Sequence, residues 1–141
     1  MKTSARNMFV GQISALREST ILSEIEITTA TGLKVVSIIT QESFTNLNLT
    51  MGMTVMAIIK APWVVLVKDE STLKTSARNM FCGQISALRT DQIMAEVVVD
   101  LQEGTKITAL ITEESARKLD LKIGGHICAM VKAFSVILTV G

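Results

Sequence analysis

The sequence is short of the side chains on which most catalytic and metal sites depend. Its 141 residues include one histidine, two cysteines, one proline and no tyrosine. They form no His/Cys ligand cluster, no Ser-His-Asp set, no phosphate-binding glycine loop and no paired-carboxylate site. We therefore expect no catalysis, no catalytic cofactor and no metal-ligand site.

The chain has no large excess of either charge, because 14 Lys and Arg residues are balanced by 13 Asp and Glu residues and the net charge is +1. Nucleic-acid binders usually carry a basic patch, and those that bind single strands add aromatic side chains that stack on bases. Four Phe and one Trp are all the aromatic residues present. The composition therefore argues against a nucleic-acid partner, although a small anion is compatible with it.

No apolar stretch has the length of a membrane span. The most apolar window, VMAIIKAPWVVLV at residues 55–67, is interrupted by Lys60 and Pro62, and a spanning helix needs about 20 apolar residues. The first residues, MKTSARNMF, contain neither an apolar signal segment nor a small-residue cleavage site. We therefore expect a cytoplasmic protein with no membrane partner.

What the sequence does contain is an internal repeat. KTSARNMFVGQISALR at residues 2–17 returns as KTSARNMFCGQISALR at 74–89, and residues 1–69 align with 73–141 at a constant offset of 72, without a gap and with 31 identical pairs. The repeat predicts two domains, residues 1–69 and 74–141, joined by a short linker at 70–73.

Units of this size have little interior of their own, because about 70 residues bury only about 60% of their unfolded surface. The hydrophobic fraction of 48% and the mean hydropathy of +0.43 are high. Such values are consistent with apolar surface that is covered by subunit contacts. We therefore expect a homo-oligomer.

Each repeat has the same order of predicted elements. In the first, alternating or β-branched runs predict strands at 8–16, 21–27, 34–39, 54–60 and 64–68. A helix is predicted at 40–49, and at 112–121 in the second repeat, because a Thr cap, acidic residues and a leucine pair precede a glycine. Three strands, a short helix and two strands predict an all-β fold with one short helix per repeat, arranged as two OB-like five-stranded Greek-key barrels in tandem.

The cysteines, the histidine and the tryptophan are expected to have no role in a functional site. Cys82 and Cys128 align with Val10 and Met56 of the first repeat, so we expect two core thiols and no disulfide. His126 has no second His or acid at ligand spacing and is expected to be an ordinary loop residue. Trp63 is expected to be buried or to lie at a subunit contact.

The polar residues that both repeats retain are mostly hydrogen-bond donors. Among them are Ser4, Arg6, Asn7, Thr40, Ser43 and Lys60, with their counterparts Ser76, Arg78, Asn79, Thr112, Ser115 and Lys132, whereas Glu24/Glu96 and Glu42/Glu114 are the acidic exceptions. Guanidinium, ammonium and hydroxyl groups together suit an oxyanion. Thr40 and Ser43 lie at a predicted helix start, where backbone N–H groups favour negative charge.

Purely structural roles are an open alternative for the same residues. Thr40 could serve only as a helix cap, Arg6 as the partner of a surface acid, and Lys60 as a solvated charge. A recent duplication would also leave these residues identical.

Three motifs carry a family resemblance. SARNMFVGQISAL, the IT-x-x-S of residues 39–43 and KAPW at 60–63 resemble the Mop family of molybdate-binding domains, and the tandem arrangement is similar to that of the two-domain molbindins. The resemblance covers essentially the whole chain. It implies a cytoplasmic protein that binds molybdate, and usually tungstate, as its ligand, in a trimer whose oxyanion sites lie between barrels.

The resemblance also implies which residues bind the oxyanion. A pocket is expected to take its SARN segment and its helix start from different barrels, with molybdenum held only as molybdate. The implied residues are Ser4, Arg6, Asn7, Thr40, Ser43, Lys60 and Ala61, with Ser76, Arg78, Asn79, Thr112, Ser115, Lys132 and Ala133. The second repeat departs from KAPW, because Phe134 and Ser135 replace Pro62 and Trp63, which puts its local bend in question.

The sequence therefore predicts a protein that stores or buffers molybdate or tungstate. A sensing module that acts on a separate partner protein is the alternative, and an OB-type nucleic-acid binder is the third possibility. Salt-sensitive binding of single-stranded oligonucleotides would favour the last.

Overall fold

The computed structural model describes residues 2–141, and within that range the strands form two antiparallel sheets. The strands are β1 (Asn7–Glu18), β2 (Leu22–Thr29), β3 (Lys34–Thr40), β4 (Thr54–Ile59), β5 (Val65–Val67), β6 (Asn79–Thr90), β7 (Met94–Asp100), β8 (Lys106–Thr112), β9 (His126–Val131) and β10 (Ile137–Thr139). The helices are α1 (Gln41–Asn46) and α2 (Glu113–Lys118), with short 3-10 helices at Ala61–Trp63, Glu70–Thr72, Gln102–Gly104 and Ala133–Ser135.

The predicted fold class is confirmed. The strand order is β10-β4-β1-β2-β3 in one sheet and β5-β9-β6-β7-β8 in the other, so each sheet has five strands. In the first unit β10 also contacts β3, at the opposite edge, and β5 contacts β8 in the second. Each sheet therefore curls back on itself, as an OB-like barrel requires.

Alternation of apolar residues produces each core. Along β1 the side chains from Asn7 to Ile13 alternate strictly between buried and exposed, because successive residues of a strand point to opposite faces. Phe9 and Ile13 from β1 join Ile25 and Ile27 from β2, all at most 6% exposed, in the interior of the first unit.

Both long strands bend at a bulge, where the pairing register shifts between Ile13 and Ala15 in β1 and between Ile85 and Ala87 in β6. A bulge increases strand twist and helps a sheet to close. The neighbouring strand then approaches very closely, since a Cβ atom on Gly83 would lie 1.9 Å from the carbonyl oxygen of Asp100. Only glycine fits there.

The two compact units exchange their last segments. One unit combines the chain up to Ile59 with Lys132–Gly141, and the other is Lys60–Val131. Accordingly, Leu138 of β10 pairs with Ala57 of β4, and Leu66 of β5 pairs with Ala129 of β9. The division predicted at residues 69 and 74 follows the repeat, whereas each folded unit takes four strands from one repeat and its fifth from the other.

The exchange has a physical reason. β4 and β9 each need an edge partner, and the apolar segments around Leu66 and Leu138 can serve either of them. In the first unit a buried hydrogen bond fixes the exchanged segment, because the hydroxyl of Ser37, in β3, donates to the carbonyl oxygen of Val136 at 2.7 Å. Ser37 is fully buried, so this bond also satisfies a polar group that the core would otherwise leave unpaired.

The two α-helices span six residues each. Across residues 2–141, no helix combines the length and the apolar character that crossing a membrane requires.

Candidate functional site

The segments before β1 and β6 have the same local structure. The Thr3 hydroxyl oxygen accepts a hydrogen bond from the N–H of Ala5 at 3.1 Å, and Thr75 accepts from Ala77 at 3.0 Å. The predicted residues in these segments lie on exposed backbone just ahead of the strands, and they are Ser4, Arg6, Ser76 and Arg78. Both copies therefore place a serine and an arginine at the surface.

Asn7 and Asn79 differ from their predicted neighbours because both are buried, at 2% exposure. The side-chain amide of Asn79 donates to the carbonyl oxygen of Val131 at 3.3 Å, and Asn7 pairs in register with Ile59. Each Asn therefore lies beside the strand end that leads into a predicted lysine. The side chain of Asn79 thus contacts the backbone just before Lys132.

The Lys-Ala segments form the same turn in both repeats. Lys60 has φ −68° and ψ 136°, and Lys132 has φ −66° and ψ 138°. Each lysine carbonyl accepts an N–H three residues later at 2.9 Å. Ala61 and Ala133 follow, both 3% exposed. As first residues of 3-10 helices, their N–H groups have no partner inside the helix.

The second repeat keeps the same bend although its sequence departs from KAPW. Phe134 and Ser135 replace Pro62 and Trp63, yet the bend is unchanged. The proline fits the turn without being required for it. What differs is the lysine's neighbour, because the Lys60 ammonium lies 5.4 Å from the centre of the Trp63 ring, a cation–π distance. Trp63 is 40% exposed, so it is not buried within the chain, and its other expected place, a subunit contact, stays a prediction.

The helix starts repeat the same hydroxyl pair. Thr40 caps α1, accepting the N–H of Ser43 at 3.1 Å and donating to the Ser43 hydroxyl at 2.9 Å. Thr112 and Ser115 do the same at 3.1 and 2.8 Å. The predicted capping role of both threonines is confirmed. Because each Thr donates to a Ser, the serine hydroxyl proton is the one available to a further acceptor.

Within one sheet the two groups of predicted residues lie at opposite ends of β1. The SARN segment leads into Asn7, the first residue of β1. Thr40 pairs with Leu22, and the next residue, Ser23, pairs with Glu18 at the other end of β1. The structure brings Thr and Ser together at each helix start, and it brings the SARN strand beside the end of β4. It does not join these two groups along one strand.

Electrostatics at the second helix start are balanced by local ion pairs. Glu113 lies 3.4 Å from Arg117, and Glu114 lies 3.1 Å from Lys118. Both are pairs at i and i+4 on the helix surface, where such pairs are neighbours. The acidic first turn is therefore largely neutralised, which reduces repulsion of an anion near Ser115.

A further group of side chains was missed by the sequence analysis. Cys82 and Cys128 face each other on β6 and β9 and form a disulfide, with Cα atoms 4.0 Å apart. Cys82 is exposed, so the expectation of two core thiols is wrong, as is the expectation of no disulfide. His126 is the first residue of β9 rather than a loop residue, and its Nε2 lies 2.9 Å from Oε1 of Glu70.

These four side chains converge. The atoms of Glu70, Cys82, His126 and Cys128 that could bind a metal all lie within 4.8 Å of one another, a group that the sequence pattern did not indicate. The pKa of the Glu70 carboxyl is lowered, first by its own backbone N–H and then by His126. The repeat aligns the two cysteines with Val10 and Met56, and the strand register, in which these two residues pair across β1 and β4, is what places the cysteines opposite each other.

A surface cleft of about 210 Å³ lies elsewhere in the second unit. Its lining includes Arg89, Asp91, Met94 and Glu96. None of the predicted site residues contributes to it, and its charges are mixed. The predicted donors therefore lie on exposed strand ends and helix starts rather than in this cleft.

Comparison with known proteins gives a match over nearly the whole chain. The family model described as TOBE domain matches twice, at residues 3–66 and 75–138. A solved structure described as the cytoplasmic molybdate-binding protein ModG, with molybdate bound, is similar with a TM-score of 0.96 and 42% identity, covering 100% of both chains.

Curated relatives are similar over the full length of this chain. The Molybdenum transport protein ModE of Herbaspirillum seropedicae is 35% identical over 140 residues, which are 99% of this chain and 52% of that protein. The Molybdenum-pterin-binding protein MopA of Rhodobacter capsulatus is 33% identical, covering 98% and 52%. The DNA-binding transcriptional dual regulator ModE of Escherichia coli is 32% identical, covering 98% and 52%. The chain thus spans about half the length of these relatives.

Proposed function

We propose that this chain, which belongs to the TOBE domain family, is a tandem molbindin that binds molybdate reversibly for molybdenum storage or homeostasis. Tungstate is the second expected ligand, since it is a tetrahedral dianion of similar size. The chain acts as a cytoplasmic binding protein and performs no catalysis.

The observation that carries this proposal is the full-length similarity to ModG, at 42% identity and a TM-score of 0.96, because that protein was solved with molybdate bound. The repeated donor geometry supports it independently. Lys60 and Lys132 differ by only 2° in φ and in ψ, although the residues that follow them have diverged. Both repeats therefore present the lysine in the same local geometry, as two equivalent oxyanion sites require.

The proposed chemistry is hydrogen bonding to a doubly charged tetrahedral oxyanion. One lysine and one arginine balance the charge, while hydroxyls and a backbone N–H satisfy the remaining oxygens. For the first repeat the proposed set is Ser4, Arg6, Thr40, Ser43, Lys60 and Ala61, with Asn7 supporting the strand end. For the second it is Ser76, Arg78, Thr112, Ser115, Lys132 and Ala133, with Asn79 in the supporting role. Discrimination against sulfate rests on cavity size, since sulfate has the same shape and charge.

We further propose that these sets converge only in an oligomer, with a trimer as the expected state. The register supports this, because Asn7 and Glu18 mark opposite ends of β1 and Thr40 lies level with the second of them. A pocket that uses both groups therefore takes them from different barrels. The exposed Met8, Val10, Val65 and Ile137 support association, since all are more than 40% exposed and apolar surface of this kind is normally covered.

A sensing role is the second candidate, and the relatives named ModE favour it. One of them is described as a DNA-binding regulator, and this chain covers about half of it. In that case molybdate would change the binding of a separate partner. A partner that co-purifies with the chain only when molybdate is present would favour sensing over storage.

The lysines provide the direct test of the site. A charge-assisted hydrogen bond contributes about 1.5–3 kcal/mol, so Lys60→Ala and Lys132→Ala are each expected to weaken their own class of sites about 10- to 100-fold. Isothermal titration with molybdate measures the affinity and the number of sites. Lys34→Ala removes an exposed lysine outside the proposed site and serves as the control.

Two results would contradict the assignment. One is wild-type stoichiometry and affinity in both lysine variants. The other is an equal loss in the Lys34→Ala control, which would indicate a general effect of charge rather than a defined site.

A further inference from the structure

The converging group of Glu70, Cys82, His126 and Cys128 lies apart from the proposed oxyanion residues, and we call it the thiol cluster. Cys128 and His126 are two residues apart on β9, so both point to the same face of the sheet. Cys82 lies directly opposite Cys128 on β6. Glu70 comes from the 3-10 helix that follows β5, whose Val67 pairs with Cys128 on its other side.

The four candidate ligand atoms lie close together. Nε2 of His126 lies 2.9 Å from Oε1 of Glu70 and 3.8 Å from Sγ of Cys128, so the same nitrogen faces a carboxylate and a sulfur. All four ligand atoms lie within 4.8 Å of one another. In a tetrahedral zinc site, metal–ligand distances of about 2.0–2.3 Å place neighbouring ligands roughly 3.3–3.8 Å apart. Small side-chain movements are therefore enough once the two sulfurs separate.

The first unit provides an internal comparison. Val10, Met56 and Thr54 occupy the positions of Cys82, Cys128 and His126, and the pairs Val10–Met56 and Gln12–Thr54 keep the same register. None of these three supplies a thiolate or an imidazole. The fold thus does not need the cluster, and its chemistry is particular to the second unit.

We propose that the reduced form of this chain binds one Zn²⁺ ion through the thiolates of Cys82 and Cys128, the imidazole of His126 and the carboxylate of Glu70, and that the disulfide is the alternative, metal-free form. Two thiolates and an imidazole favour Zn²⁺ over Mg²⁺ or Ca²⁺, which prefer oxygen ligands. Metal binding replaces the contact between His126 and Glu70 with two metal–ligand bonds.

A phosphine supplies the two electrons that reduce the disulfide. The phosphine attacks the sulfur of Cys82, the more exposed of the two residues, the S–S bond breaks, and Cys128 leaves as a thiolate. Water then supplies the oxygen of the phosphine oxide and the protons of the two thiols. Binding of Zn²⁺ afterwards forms two Zn–S bonds and releases the two thiol protons. Since each sulfur is either bonded to its partner or to the metal, the two forms exclude each other.

The test uses the full chain. Protein reduced with tris(2-carboxyethyl)phosphine and protein left oxidised, each verified by thiol labelling, are titrated with Zn²⁺ against a chromophoric chelator. We expect one Zn²⁺ per reduced chain, and an affinity for Zn²⁺ at least tenfold lower in the oxidised chain. Co²⁺ serves as a spectroscopic probe, because thiolate-to-cobalt charge transfer and tetrahedral d–d bands report the ligands directly.

Variants taken from the first repeat separate binding from folding. Cys82→Val and His126→Thr introduce residues that the first unit already carries at these positions, and each is expected to reduce Zn²⁺ affinity at least tenfold. Glu70→Gln tests a ligand outside the strands, with Glu114→Gln as the matched control. The proposal is overturned if reduced wild-type protein binds no stoichiometric Zn²⁺, or if Cys82→Val and His126→Thr bind it as wild type does.

Discussion

The exchange of β5 and β10 predicts which unit loses stability when either edge strand is weakened. Leu66 in β5 and Leu138 in β10 occupy equivalent positions of the repeat, 72 residues apart. The structure places Leu66 against β9 and Leu138 against β4. We therefore expect Leu138→Ala to destabilise the unit that contains β4, and Leu66→Ala to destabilise the unit that contains β9.

The magnitude follows from burial. Leu66 is 8% exposed and Leu138 is 6% exposed, and truncation of a buried leucine to alanine costs about 2–5 kcal/mol. Because β5 and β10 are three-residue edge strands, we expect the lower part of that range, about 2–3 kcal/mol. A loss of that size lowers amide protection in the affected unit about 30- to 140-fold, at about 1.4 kcal/mol for each factor of ten.

Hydrogen exchange measured by mass spectrometry is the suitable assay. Peptides from β4 and β9 differ in sequence and report the two units separately, whereas those from β1 and β6 are nearly identical. Leu138→Ala should lower protection in Thr54–Ile59 and leave His126–Val131 close to wild type, and Leu66→Ala should do the reverse. Loss of protection in β9 on Leu138→Ala would refute the exchange.

Two further predictions concern stability. Gly83→Ala should cost more than the 1–3 kcal/mol typical of overpacking, because its Cβ atom would lie 1.9 Å from the backbone oxygen of Asp100. Urea unfolding measures this cost. A cost no larger than that of Gly141→Ala, whose Cβ atom would have its nearest neighbour at 3.5 Å, would contradict the prediction. The N–H groups of Met94 and Ile93 donate to the Asp91 carboxylate and hold its pKa below the usual value. The ionised carboxylate therefore stabilises the fold above about pH 4. This contribution is lost as the pH falls through the lowered pKa. The stability difference between wild type and Asp91→Asn should therefore be constant near neutral pH and shrink in acid, and a difference that grows in acid would contradict this account.

Much of each unit could be predicted because the relevant signals are local. Alternating apolar residues gave the strands, and Thr40 with the acids that follow it gave the start of α1. The exchange of β5 and β10 could not be predicted, since Leu66 and Leu138 fit either edge equally well in pattern and length. Strand pairing between repeats depends on tertiary geometry that no local pattern contains.

The same exchange explains why the thiol cluster could not be predicted from the sequence. Glu70 and His126 are 56 residues apart, and they meet only because β5 carries the linker onto β9. The cysteines align with apolar residues, so the repeat favoured a packing role for both. The register of β1 and β4, transferred to β6 and β9, would have placed them opposite each other.

Native mass spectrometry of the purified full chain with molybdate, beside a sample with excess sulfate, tests the central claim most directly. We predict an oligomer, expected to be a trimer, that gains several molybdate ions and retains them in the presence of sulfate. A monomer that takes up no molybdate would contradict the account, because the repeated lysine turns and hydroxyl pairs would then serve the fold alone.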